Sequence, residues 1–281
     1  MLGVARSRRL ADMHLMIPNL TYEDRRRSLG RLALWWVETF SLIGRGGATG
    51  KPVTHSPEYI QFYLNAYALK PDGRRRFNRV SLWRPKGCNK SGLGNDLALF
   101  EAFGPCRFDH WAKPGETYTF LGQTYYYLPG EPVGRPVQRP EILCLATSED
   151  QSGNIFDSIY YNCTSGPLAQ LQGFGMEVTK TRIGLPEGGE IIPTTSGDAS
   201  KDGGLETFAL MDEVHLYTLP KHHSMYKTVQ RNLPKRSLDA DPWVLEMTTY
   251  FRPGQNSVAE NTLKIAEDIQ AGRSKHYKGL Y

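Results

Sequence analysis

The sequence predicts an α/β fold: a mostly parallel central sheet flanked by helices on both faces, with a small lid region over residues 1–50. Three observations lead there. Short apolar runs at residues 80–84, 141–146, 207–211 and 243–248 have the length of buried strands. Segments with helical caps or helical periodicity stand between them. A strand, helix, strand succession places its crossovers on the faces of a parallel sheet.

Taken in order, residues 22–40 are spaced as one amphipathic helix, stopped by Gly44-Arg45-Gly46-Gly47. Ser56 and Pro57 read as the cap and first turn of a second helix, with Ile60, Leu64 and Tyr67 along one face. The first core strand follows at 80–84, then a turn and a helix over about 92–103. Residues 114–140 are rich in Gly, Pro and Tyr and predict an inserted hairpin. After the strand at 141–146 come helical stretches at 154–163 and 168–173. Short strands, broken by Gly184-Leu185-Pro186 and Gly188-Gly189, fill 176–195. The strands at 207–211 and 243–248 complete the sheet. A helix over 257–271 closes the chain, with Ser257 and Glu260 spaced as a capping box. Two regions result: a peripheral segment, 1–50, and one large domain, 51–281.

Composition narrows the classes. The chain has 281 residues, 40% hydrophobic and 22% charged, enough to bury a core. No apolar run approaches the roughly 20 residues that span a bilayer. Cys88, Cys106, Cys144 and Cys163 form no CxxC pair, which argues against a disulfide framework or zinc site and for a reducing cytoplasm. The net charge is +5, and residues 1–90 hold 17 of the 34 Lys and Arg but 6 of the 29 Asp and Glu. That asymmetry suits a polyanionic partner, although a run such as Arg74-Arg75-Arg76 taken alone reads as a solvated face.

The segment Val80-Ser-Leu-Trp-Arg84-Pro-Lys86-Gly87-Cys88-Asn89-Lys90-Ser91 has the layout of a phosphate-binding loop: strand, tight turn, Lys-Ser, helix. Backbone N–H groups of the turn and the helix start would cradle phosphate oxygens. Lys90 would bring a positive charge to the β- and γ-phosphates of a nucleotide, and Ser91 a hydroxyl to Mg²⁺. Arg84 and Asn89 stand where the usual pattern has glycines. Asn tolerates the left-handed backbone that glycine supplies. Downstream, Phe208-Ala-Leu-Met-Asp212-Glu213 is an apolar strand ending in two carboxylates. Asp212 would hold the metal and Glu213 would polarise an attacking water. Together the two motifs predict a P-loop NTPase that uses ATP and Mg²⁺.

In combination these residues resemble the ATPase half of phage terminase large subunits, in a branch common among actinobacteriophages. The resemblance covers roughly residues 50–281 and implies an ASCE or RecA-like P-loop fold. It rests on Arg84-Pro-Lys86-Gly87 before Lys90-Ser91, with Lys86 as the basic residue inside the loop. It rests also on residues 142–156 as a core strand and polar loop, on Asp212-Glu213, and on Met247-Thr248-Thr249, similar to the motif that couples hydrolysis to movement. The resemblance implies an adenine-reading role for Gln61, against that of an ordinary surface glutamine. It implies a finger acting on a neighbour's nucleotide at Lys201 or Arg182, against plain surface bases. Residues 278–281 look like the linker to a nuclease domain absent from this sequence, so no nuclease activity is expected. The expected partners are double-stranded DNA, a portal protein, the terminase small subunit and further copies in a ring, in the host cytoplasm and without a membrane.

Two other readings use the same residues. One is a helicase-like, nucleic-acid-stimulated ATPase, which would need a second RecA-like domain. The other is a non-enzymatic DNA- or portal-binding module with a degenerate nucleotide site. His215 and His222-His223 fit no strong metal-ligand spacing and read as solvent-facing. Trp35-Trp36 and Tyr125-Tyr126-Tyr127 could stack on bases but read better as packing.

Overall fold

A computed structural model describes residues 20–147, 149–194, 203–273 and 279–280, with the side chains of 149–154 left aside. Five parallel strands form the body of a seven-stranded sheet. In chain order they are β1 (Arg79–Trp83), β6 (Glu141–Leu145), β9 (Glu190–Thr194), β10 (Phe208–Met211) and β11 (Trp243–Thr248). In space they run β1-β11-β10-β6-β9, and the short β8 (Ile183–Gly184) and β7 (Glu177–Val178) continue the sheet antiparallel. The intervening β2 (Arg107–Trp111) and β5 (Pro132–Arg135) pair antiparallel, and β3 (Thr117–Phe120) and β4 (Gln123–Tyr126) form the hairpin expected within 114–140.

The side-chain period of two sorts each strand between two apolar layers. Val80, Leu82, Ile142, Cys144, Phe208, Leu210, Leu245 and Met247 face a cluster closed by three helices. These are α2 (Gly30–Phe40), α3 (Pro57–Ala66) and α4 (Lys90–Phe103). Leu145, Ala209, Met211 and Val244 face the other cluster. It is closed by α6 (Pro220–Asn232) and α7 (Val258–Gln270), while α5 (Glu149–Ser165) flanks α4. Parity therefore turns Asp212, the residue after Met211, toward the α4 side.

Several expectations change. Residues 22–40 form two helices, α1 (Tyr22–Arg26) and α2. The break comes from tertiary contacts: Ser28 Oγ donates to Leu64 O (2.7 Å) and Leu29 N–H to Tyr67 O (3.3 Å). Trp36 and Phe40 of α2 are buried in the main core. On α3 the buried face is Phe62, Tyr63 and Ala66, whereas Ile60 is exposed. Arg74-Arg75-Arg76 is not a free basic patch. The buried Arg75 guanidinium lies 4.2 Å from the Trp243 ring centre and donates to Ala66 O (2.7 Å). Arg74 donates to Ser237 O (2.7 Å) and Arg76 to Asp24 (2.7 Å). His222 is buried, not solvent-facing. No helix among the described residues is long and apolar enough to cross a membrane.

Candidate functional site

The carboxyl ends of β1, β11 and β10 lie side by side, and the sequence motifs meet there. Trp83 pairs with Thr248, and the next residue, Arg84, donates its N–H to Thr248 O (3.0 Å). The chain then turns through Gly87 (φ 85°) and Asn89 (φ 52°, ψ 35°), both left-handed, and α4 begins at Lys90. Asn89 thus adopts the backbone that its place in the motif requires. Helix starts leave N–H groups unpaired, and those of Asn89, Lys90 and Ser91 have no acceptor among the described residues. Unpaired N–H groups at a helix start are donors of the kind that binds anions.

Lys90 is buried, donates from Nζ to Pro85 O (3.2 Å) and lies 4.0 Å from Glu213 Oε1. Ser91 Oγ donates to Asp212 Oδ2 at 3.0 Å across 121 positions of sequence. Asp212 Oδ1 accepts the Glu213 N–H (3.0 Å). Burial, then the neighbouring Glu213 charge, pushes the Asp212 carboxyl up to about 6, against the Ser91 hydrogen bond. A hydroxyl beside a buried carboxylate is a hard-oxygen pair suited to Mg²⁺, and a cation there would relieve the cost of the ionised Asp212. The residues present fit such a group.

Glu213 is held at φ 51°, ψ 47°, strained for a residue other than Gly, Asn or Asp. Burial raises its carboxyl, but His215 and the Lys90 charge outweigh burial and hold it below the usual carboxylate range. His215 Nδ1 lies 3.1 Å from Glu213 Oε2 and 3.1 Å from Thr248 Oγ1. Thr249 Oγ1 is 3.4 Å from the same ring.

Helix α3 reaches the loop from the other side. Tyr59 OH donates to Cys88 O, and Glu58 pairs with Arg84. Gln61, one turn beyond Glu58, is exposed, as are Lys86, Gly87 and Cys88. Lys201 lies outside the described residues. Arg182 pairs with Glu190 (2.5 Å) and Glu177 (3.5 Å) at the amino end of β9, away from these strand ends. Sequence reasoning missed Glu58, Tyr59 and His215. The first two had no signal, because their loop contacts are tertiary. His215, two residues past Glu213, did carry one. Among the described residues no three His, Cys, Asp or Glu side chains group so as to hold a metal ion by themselves.

No protein-family model matches the chain. It is 26% identical over 223 residues to the Gene 13 protein of Mycobacterium phage L5, and equally to that of Mycobacterium phage D29. Each match covers 77% of this chain and 34% of the relative, so the chain spans about a third of the length of the curated relatives it matches. Among solved structures, the HK97 bacteriophage large terminase superposes with a TM-score of 0.59 at 15% identity, over 90% of this chain and 43% of that one. The mixed α/β fold, with its largely parallel sheet, is therefore similar to that of a terminase large subunit.

Proposed function

We propose that this chain is the ATP-hydrolysing motor domain of a phage terminase large subunit, driving double-stranded DNA into a procapsid. The carrying observation is the Ser91–Asp212 contact (3.0 Å) beside a left-handed turn and a buried lysine. Phosphate-loop and acidic-strand chemistry then share one corner of a parallel sheet, where such folds bind ligands. The structural likeness to the HK97 large terminase supports the terminase assignment. The similarity to two mycobacteriophage proteins supports the actinobacteriophage-like branch. Placement of β11 between the loop strand and the acidic strand supports the ASCE reading.

In this proposal the N–H groups at the start of α4 and the Lys90 ammonium hold the phosphates. Ser91 and Asp212 hold Mg²⁺, which supplies positive charge to the phosphate oxygens when bound. Glu213 orients and deprotonates the attacking water. Thr248 and Thr249 report on the γ-phosphate, and Gln61 on α3 reads the base. The portal protein, the small subunit, duplex DNA and neighbouring copies in a ring are the proposed partners.

The test compares Lys90→Ala with Glu213→Gln by calorimetric ATP affinity and phosphate release, with DNA and portal present. Lys90→Ala should weaken binding and turnover together. Glu213→Gln should bind ATP about as the parent does and lose about 10²–10⁴-fold in rate, as general-base loss does. Parental turnover in the Gln variant would remove Glu213 from its role. A parent that neither binds nor hydrolyses ATP would refute the function.

A further inference from the structure

We infer that His215 is a positioning residue which sets the Glu213 carboxylate and ties it to the end of β11, an inference that rests on the ATPase reading above. Thr248 Oγ1 gives its one proton to Thr249 O at 2.8 Å. It must therefore accept, and it does so from the His215 backbone N–H at 3.1 Å. The ring Nδ1, also 3.1 Å from Thr248 Oγ1, can bond that oxygen only by carrying a proton. The same Nδ1 stands 3.1 Å from Glu213 Oε2. One N–H thus faces two acceptors, the Thr248 hydroxyl, which it bonds, and the Glu213 carboxylate, which lies in ion-pair range without a hydrogen bond.

The approach to Glu213 Oε2 lacks hydrogen-bond alignment, and Oε2 has no hydrogen-bond partner among the described residues. A small rotation of the imidazole would move the proton from Thr248 toward Glu213. Such bonds are often misaligned without substrate and tighten in the productive complex.

The connections beyond the imidazole make the arrangement useful. Thr248 O accepts the Arg84 N–H, so the residue that takes the His215 proton also anchors the first turn of the phosphate loop. Glu213 Oε1 faces Lys90 at the far end of that loop, 4.0 Å away. A displacement of the loop therefore reaches Glu213 from both ends, through Lys90 and through Thr248 and His215. Of the groups assigned to the nucleotide, His215 contacts Glu213, Thr248 and Thr249, and not the Lys90 ammonium or the Ser91 hydroxyl that would hold phosphate and metal. Its expected effect is on the rate of the chemical step and not on nucleotide affinity.

The experiment measures kcat, KM for ATP, calorimetric ATP affinity and thermal stability in the presence of DNA and portal. The variants are His215→Ala, His215→Asn, Glu213→Gln and His215→Ala combined with Glu213→Gln. Asn offers an N–H at the place of Nδ1. His215→Ala should lose about 10–100-fold in kcat, as misplacement of a reacting group does, with KM and affinity within about threefold of the parent. His215→Asn should recover most of that loss. In the Glu213→Gln background, His215→Ala should cost nothing further. If Glu213→Gln abolishes turnover but His215→Ala matches the parent, this inference fails and the ATPase reading stands. An Asn variant as slow as Ala, or losses that multiply in the double variant, would also overturn it. Absence of ATP binding and turnover in the parent would instead overturn the function itself.

Discussion

Asp212→Asn should make the ligand-free protein more stable. The Asp212 carboxyl stands at about 6 in the fold against 3.8 for the free side chain, a rise of about 2 units caused first by burial and then by Glu213. A raised folded value means that the native state binds the proton more tightly than the unfolded chain. The stabilisation is complete below pH 3.8 and is lost as pH rises through 6. At pH 7.5 the ionised side chain accordingly costs the fold up to about 3 kcal/mol, at 1.36 kcal/mol per unit. Asn removes the charge and keeps an acceptor for Ser91 Oγ, so most of that cost should be recovered. For a domain of this size each kcal/mol moves Tm by about 2–4 °C, giving a rise of about 4–8 °C at pH 7.5 in EDTA. The gain should vanish by about pH 4, and Mg²⁺–ATP should stabilise the parent far more than the variant. Calorimetric scans of both proteins across pH, with and without nucleotide, measure all three effects. A variant no more stable than the parent at pH 7.5, or a gap that persists in acid, would refute the reasoning.

Asn89 tests the loop backbone: Asn89→Gly should leave stability nearly unchanged by urea unfolding. Asn89→Val should cost about 1–2 kcal/mol, because a β-branched side chain is strained at φ 52°. Gly30→Ala should cost about 1–3 kcal/mol in the same assay, since a Cβ there would sit 2.5 Å from Tyr63 O and 2.7 Å from Leu64 Cα, backbone atoms that cannot turn aside. Arg75→Ala should cost about 3 kcal/mol by losing a buried stack on Trp243 and Tyr67 together with its hydrogen bonds. It should leave the salt dependence of DNA binding unchanged, and a shallower slope in a folded variant would place Arg75 on the DNA-facing surface.

The strands were legible where apolar runs are short and bounded, as at residues 80–83, 142–145 and 208–211. Their spatial order was not. Nothing in residues 243–248 says that β11 lies between β1 and β10, because parallel neighbours are chosen by crossovers and not by local pattern. Helix α6 gave little signal, since its buried face mixes Met225, Tyr226 and Val229 with the polar His222, Thr228 and Asn232. Arg75 misled for a physical reason. A guanidinium can be buried if aromatic faces and carbonyls receive it, and that environment comes from Tyr67, Ala66 and Trp243, two of them close in sequence and one 168 residues away. The split of residues 22–40 has the same origin, a contact of Ser28 with Leu64 that overrides a continuous helical period.

At the candidate site the residues were legible and the connections were not. Lys90, Ser91, Asp212 and Glu213 could be read from two motifs, but the His215 link depends on Glu213 adopting a left-handed turn that only the fold reveals. Left-handed backbone alone does not mark this corner, because Leu121, Arg139, Asp241 and Asn256 also have positive φ elsewhere in the chain. The distinction lies in coincidence. Asn89 and Glu213 are left-handed, Lys90 and Asp212 are buried charges, and the four meet around the ends of β1 and β10. Each departure costs stability by itself. On the proposed reading, a turn with unpaired N–H groups, the buried Lys90 and an Asp212 carboxyl pushed up to about 6 would all become favourable when a polyanion and a divalent cation bind together. Strain and charge placed so that one ligand would relieve both are what the proposed site requires.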